Sequence, residues 1–407
     1  ENKDHYADFI INYNPKNFPI IKYNFNRNKK KNCKFLIHPQ FNIIEKNIFL
    51  NDKKKDNLFK ITIYIGGGSD QIIVYKLLLK LLKNLDNKKI KFVVIVGPLA
   101  KNKLKIIQLA KKHNSIEYVD SPSSISKYIQ GSQLFIGSAG TAIFETAFFK
   151  IPSILIKMTQ NQETDIFSLE KLGHYIYLDL SDFVNTKKIS KLIFLLEKNY
   201  SRFKVLNIKP EIKIDDKGSK RIIDYIFSSK NIFPKKKYQV LKNKIIKDKL
   251  SIRAVNDKDL NHYLASRNLE INTNNSINKK KIKKLEHYLW WFETSRKSYV
   301  LTRNGLKVLY LYENGIFSSK NINYKISGWF ACSKNCTIRE ILYALNWQRY
   351  KYKKHVKWLS FIKNSNQLSI KMSKYLGWNV VKSKDKSIDK LKSLLNIKSN
   401  KFIFYKR

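Results

Sequence analysis

The sequence predicts an α/β protein: a parallel sheet covered by helices on both faces, followed by a second unit of different composition. Three observations predict it. Between residue 59 and residue 178, short β-branched runs alternate with helical periods at the spacing of strand–helix–strand units. Glycine-rich or small-residue turns close several of those strands at their carboxyl ends, where open parallel sheets bind ligands. All six tryptophans fall between Trp290 and Trp378, a shift in composition that marks a domain boundary.

Residues 1–58 read as irregular, with Asp8–Ile11 as one candidate strand. Phe59–Ile65 alternates and is β-branched, so it predicts a strand, which Gly66-Gly67-Gly68 ends. Gln71–Leu85 has the period of an amphipathic helix. Ile90–Val96 is a strand buried on both faces and closed by Gly97-Pro98; a helix follows at 102–112. Then come a strand at Ile116–Val119, a short helix at 123–130 and a strand at Gln133–Ile136. A helix at Thr141–Phe149, a strand at Ser153–Ile156, a helix near 163–172 and a strand at Tyr175–Leu178 complete the series. Lys230–Asp248 is Lys-rich and poorly periodic and reads as a linker; a new unit begins at Leu250–Val255 and runs to the end.

The 407 residues suffice for two or three domains. The formal charge, 80 − 31 = +49, comes from lysines scattered among Asn, Ile, Tyr and Phe along the whole chain. That even spread describes a solvated surface and a biased codon usage rather than a focused patch, so no nucleic-acid partner is expected. Cys33, Cys332 and Cys336 are too few for a disulfide framework and lack the partners of a zinc site, so free thiols and no metal are expected. No apolar run reaches membrane-spanning length and no signal peptide is seen, which predicts a cytoplasmic protein, monomeric or weakly oligomeric. The chain starts at Glu1 rather than at a methionine, and it reads as a fragment.

Three loops carry the candidate chemistry. In Gly66–Asp70, Gly67 and Gly68 let the backbone approach a ligand, and Ser69 can cap the next helix or donate to a phosphate. A glycine turn before a helix is by itself ordinary chain punctuation. In Gly137–Glu145 a strand turns directly into a helix through Gly140 and Thr141, exposing N–H groups that suit an anion. Glu145, about one turn inside that helix, points back toward the same crevice and would accept from sugar hydroxyls. Gln160-Asn161-Gln162-Glu163 ends a strand with three amides and a carboxylate, suited to a polar, uncharged ligand.

Gly-Gly-Gly-Ser-Asp after the first strand, Ser138-Ala-Gly-Thr-x-x-x-Glu145, Ile151-Pro152, Asn161-Gln162-Glu163 and the segment Asp215–Ile222 resemble, in that order, the C-terminal half of the UDP-sugar hydrolases of pseudaminic acid biosynthesis. Those enzymes are related to the MurG-type glycosyltransferases of the two-domain GT-B fold. The resemblance covers roughly residues 8 to 228. It implies a Rossmann-like GT-B domain at 59–228, with 1–58 a remnant of the N-terminal domain and its connection. The implied activity is release of UDP from a UDP-diacetamido-trideoxy-hexose by water attack at the anomeric carbon, with no cofactor. Gly140 and Glu145 would hold the uridine portion and Asn161 would contact the substrate. The family's general base is a histidine in a Gly-x-Gly-His motif of the N-terminal domain. None of His5, His38, His113, His174, His262, His287 and His355 has that context, so the base is expected in a region missing before Glu1. His174 is expected to be structural. A GT-B glycosyltransferase that uses the same UDP pocket is the alternative, and a non-catalytic sugar-nucleotide-binding protein is another.

The second unit resembles the GNAT acetyltransferases that act on sugar nucleotides. The resemblance is carried by Arg267-Asn268 with Leu285–Phe292, by Asn366-Gln-Leu-Ser369 and by Leu376-Gly377-Trp378. It implies a GNAT-like α+β domain at 250–407 after a linker at 229–249, with acetyl-CoA as its cofactor and Asn366 and Ser369 in its site. His287 and Trp291 could line a sugar pocket. Two departures stand against transfer. GNATs place backbone N–H groups on coenzyme A through a Gly-containing pyrophosphate loop, and from Trp329 to Phe361 there is no glycine. The position of the usual tyrosine acid is Ser373.

Overall fold

A computed structural model of the chain describes residues 6–15, 33–45, 58–84, 89–227, 249–277, 279–319, 322–351, 356–381, 385–395, 397 and 401–407. The linker expected at Lys230–Asp248 lies outside the described residues. By contact the chain divides into two compact units: Glu1–Lys237 with Lys284–Phe292, and Tyr238–Lys283 with Glu293–Arg407.

The first unit opens with β1 (Phe9–Asn12) and β2 (Lys34–Ile37), a parallel pair. Its main sheet follows: β3 (Phe59–Tyr64), α1 (Ile72–Leu82), β4 (Ile90–Val96), α2 (Lys103–Lys112), β5 (Ile116–Asp120), α3 (Ser126–Gln130), β6 (Leu134–Ser138), α4 (Ala142–Phe148), β7 (Ser153–Lys157), α5 (Ile166–Glu170) and β8 (Ile176–Asp179). All its pairings are parallel. The strand order is β5-β4-β3-β6-β7-β8, the doubly wound order whose direction of travel reverses between β3 and β6. This is the Rossmann-like sheet the sequence implies. Its strands are buried on both faces because helices cover both; Phe92, Val93, Val94 and Val96 of β4 are fully buried.

The expected series ends at Leu178, but the chain continues through α6 (Leu180–Phe183), α7 (Thr186–Lys198) and α8 (Tyr200–Ile208). The signal for α7 is present in the sequence: Ile189, Leu192, Ile193 and Leu196 recur at helical spacing and are buried. After α8, α9 (Gly218–Phe227) packs Ile222 against Leu36 and Phe41 next to β2. Gly218 is held by contact, since a Cβ there would stand 1.7 Å from Asn42 O. Asp215, at the final motif, binds Arg221 through both oxygens (2.7 and 2.5 Å), and Arg221 also donates to Gln40 O at 3.1 Å.

The second unit contains β9 (Leu250–Ala254), α10 (Leu260–Arg267) and α11 (Glu270–Asn274). In the chain these are followed by α12 (Lys284–Glu293), whose residues 284–292 group with the first unit. There Phe292 meets Phe203 edge to face at 5.9 Å. The second unit resumes with β10 (Lys297–Arg303), β11 (Leu306–Ser319), β12 (Ile322–Ala331), α13 (Ile338–Tyr350), β13 (Val356–Lys363), α14 (Gln367–Tyr375), β14 (Asn379–Val380), α15 (Lys386–Leu395) and β15 (Phe402–Lys406). The sheet order is β14-β15-β13-β12-β11-β10-β9. It is mixed: only β12 and β13 pair in parallel, from Asn323↔Val356 to Ile326↔Leu359, and beyond that both strands run on bonded to other neighbours. The unit is therefore GNAT-like α+β, as the resemblance implies.

Among the described residues no helix is long and apolar enough to cross a membrane.

Candidate functional site

The reversal between β3 and β6 opens a crevice beyond their carboxyl ends, and the three sequence loops border it. At the end of β3, Gly66 has φ +108°, a conformation that favours glycine. A Cβ on Gly97 would stand 2.3 Å from Gly67 Cα, and Leu99 N–H donates to Gly67 O at 3.1 Å. The glycines thus answer first to a backbone-to-backbone contact between two strand-end turns. Gly68 is exposed at the same turn, next to Leu99. Ser69, expected to cap the next helix or to meet a phosphate, instead donates to Ile65 O at 2.6 Å. Asp70 Oδ1 accepts from the N–H of Ile72, the first residue of α1 (2.9 Å), and from Asn102 Nδ2 (2.8 Å), while the cap residue Gln71 makes no side-chain capping bond. Those bonds hold the Asp70 carboxyl below the usual range.

At the end of β6, a Cβ on Gly137 would stand 2.3 Å from Tyr64 O, so the strand can approach β3 only as glycine. Ser138 Oγ lies 3.8 Å from where a Cβ on Gly66 would be and 3.7 Å from the same point on Gly140; Gln162 Nε2 is 3.8 Å from that point on Gly140. The three loops therefore meet around Ser138 and Gly140. Thr141 is the exposed N-cap of α4, and its side chain makes no capping bond.

Glu145 Oε2 is buried and has no hydrogen-bond partner. Burial pushes this carboxyl up to about 7. Burial, and then the charge of Glu145, raise the hydroxyl of Tyr64 at the end of β3. Tyr64 is a crevice residue that sequence reasoning missed; its only signal is its place as the last strand residue before the glycines.

In the third loop, Gln162 Oε1 accepts from Met158 N–H (3.0 Å) and Tyr177 OH donates to Gln162 O (3.0 Å). The side chain is thereby oriented with Nε2 beside Gly140. Asn161 is exposed and accepts from Thr159 Oγ1 at 2.5 Å, while Glu163 pairs with Lys157 at 2.8 Å. The crevice offers a carboxyl acceptor, amide donors and hydroxyls, together with the first N–H groups of a helix, which have no intrahelical acceptor. Such a set can bind a hydroxyl-rich ligand that carries an anionic group.

His174 is fully buried behind α4. Its Nε2 donates to Ile143 O at 2.9 Å, and burial lowers its pKa to about 4. It buttresses the helix that carries Glu145. Of the other described histidines, His38 caps a short turn, His113 ends α2 and His262 meets Tyr310 OH at 3.0 Å.

The residues expected to act in acetyl transfer fall in different units. His287 lies on α12 among Trp290 and Trp291 (5.6 and 5.5 Å) and groups with the first unit. Asn366 caps α14 by accepting from the N–H of the buried Ser369 at 3.2 Å. Elsewhere in the second unit, burial lowers the pKa of Arg267, which lies near Tyr263, Tyr312 and a second guanidinium, Arg296. Arg296 stacks over the Tyr312 ring at 4.6 Å.

Residues 62–220 match the family model described as the glycosyltransferase family 28 C-terminal domain. No curated protein matches the chain. Solved structures similar to it include a domain from Methanocaldococcus jannaschii DSM 2661 (22% identity, 40% of this chain and 99% of that one, TM-score 0.30). Others are an N-acetyltransferase from Staphylococcus aureus Mu50 (15%, 39% and 98%, TM-score 0.28) and a ribosomal L7/L12 alpha-N-protein acetyltransferase in complex with coenzyme A (11%, 39% and 93%, TM-score 0.30). The fold stands on the strand order and pairing given above.

Proposed function

We propose that the first unit is the nucleotide-binding half of an enzyme that acts on a UDP-sugar, and that its reaction is hydrolysis. Water attacks the anomeric carbon of a UDP-diacetamido-trideoxy-hexose, the bond from that carbon to the diphosphate oxygen breaks, and UDP leaves. The observation that carries the reading is the buried, partnerless Oε2 of Glu145 at the crevice. A buried acceptor without a donor costs on the order of 1–3 kcal/mol, a cost that a ligand hydroxyl would remove. The family 28 match over 62–220 supports a GT-B nucleotide-sugar reading.

In this reading Glu145 accepts from ribose hydroxyls, Gly140 and Thr141 leave room and N–H groups for the diphosphate, and Asn161 and Gln162 contact the sugar. Gly67, Gly68 and Ser69 shape the opposite wall. No described histidine is placed as the general base.

Calorimetric titration of UDP tests the pocket. Glu145→Ala should weaken binding by about 1.5–3 kcal/mol, a hydrogen bond to a charged group; unchanged affinity would remove Glu145 from the site. The family 28 description favours a second reading, transfer of the sugar to an acceptor. Free sugar plus UDP formed without any acceptor supports hydrolysis; turnover that requires an acceptor supports transfer.

A further inference from the structure

Coenzyme A is the group a GNAT-like fold implies, and its diphosphate needs backbone N–H groups with no internal acceptor at the turn between β12 and α13. Several groups of that turn that a diphosphate would need are already engaged. Cys332 N–H donates to Val308 O at 2.8 Å and Asn335 N–H to Ser333 Oγ at 3.2 Å. Thr337 N–H and Oγ1 both donate to Glu340 Oε2 (2.7 and 2.9 Å), and Glu340 N–H returns a bond to Thr337 Oγ1 at 3.3 Å. This is a complete capping box, which spends two of the N–H groups an anion would use.

The charge is also already supplied. Glu340 is 3% exposed, and its other oxygen lies 3.0 Å from Arg303 Nη1. A diphosphate entering the first turn of α13 would meet a buried carboxylate that has already taken the nearby guanidinium. The strand beside the turn is covered as well. Gly328, two residues past the last β12 residue paired with β13, has the Tyr312 hydroxyl 2.2 Å from where a Cβ would stand.

We infer that the second unit takes no diphosphate-bearing acyl donor at this turn, because Thr337, Glu340 and Arg303 close it from within. The turn from Trp329 onward has no glycine that would let its backbone open around a phosphate.

The test uses the whole chain and acetyl-CoA, with hydrogen exchange followed by mass spectrometry to locate any binding. Peptides covering residues 332–345 should show unchanged protection at millimolar acetyl-CoA, in a sample that unfolds cooperatively. Protection appearing only in other segments leaves the turn closed, as inferred. Saturable binding that protects 332–345 would overturn the inference. A second measurement checks the closure itself. Glu340→Ala should lower the melting temperature of the second unit by about 4 °C or more. An unchanged melting temperature would overturn it too.

Discussion

Glu145 and Glu340 are both acidic residues in the first turn of a helix that begins at a threonine, and they have opposite fates. Glu340 follows Thr337 by three residues, the spacing of a capping box, and its carboxylate folds back to bond the cap N–H and hydroxyl. Glu145 follows Thr141 by four, and Thr141 makes no capping bond. One more residue turns the side chain by about 100° around the helix axis, away from the cap. Glu145 Oε2 is left buried and unspent at the crevice. A shift of one position separates a carboxylate that completes its own helix from one whose Oε2 is left without a hydrogen-bond partner.

The comparison can be broken most readily by removing each carboxylate. Glu340→Ala should destabilise by about 2–3 kcal/mol, because it leaves Arg303 and a cap N–H without their acceptor; urea unfolding with an unchanged midpoint would contradict the closed cap. Glu145→Gln should act in the opposite direction. The folded-state pKa of Glu145 is raised to about 7, so its protonated form favours folding. That contribution is full below the unfolded value near 4.5 and is lost as pH rises through about 7. At pH 8 the substitution should therefore stabilise by about 1–3 kcal/mol, the shift converted at 1.36 kcal/mol per unit as a ceiling, and at pH 4 by nothing measurable. Equal effects at both pH values would mean that the carboxyl is not held out of water.

His174 sharpens the comparison from behind α4. Its pKa is lowered to about 4, so folding favours the neutral ring, and this support is lost as pH falls from about 6.5 through about 4. His174→Gln should flatten that part of the stability–pH curve, and an unchanged slope would mean that the ring is not held buried in its neutral form. The smallest effect is expected at Asn161. Asn161→Ala should leave UDP affinity unchanged and cost about 0.5–1.5 kcal/mol in affinity for the UDP-sugar, read by comparing the two titrations.

Much of the first unit was legible because its signals are local. β-branched runs such as Ile90–Val96 and turns such as Gly66–Gly68 announce themselves within a few residues, and the strands lie where the periods put them. Helix α7 carried a clear period that was passed over, whereas α6, with four residues, has too little sequence to show one. The site was legible as three loops but not as a set of bonds. Ser69 bonds backward to Ile65 while Asp70 takes the N–H of Ile72, because which of two adjacent side chains reaches a given N–H depends on backbone angles that residue identity does not specify. In the second unit, Thr337-x-x-Glu340 was readable as a capping box, but its pairing with Arg303, far away in sequence, was not.

By itself, then, the sequence determined the α/β class, the strand-end turns and the residues at the crevice, since periodicity and turn chemistry act between near neighbours along the chain. The tertiary structure alone decided that β3 and β6 are adjacent, that Gly67 must clear Gly97, and that Glu145 Oε2 is buried without a hydrogen-bond partner while Glu340 spends one oxygen on its cap and sets the other against Arg303. Burial and hydrogen-bond satisfaction belong to groups brought together through space, and only the completed packing assigns each donor its acceptor.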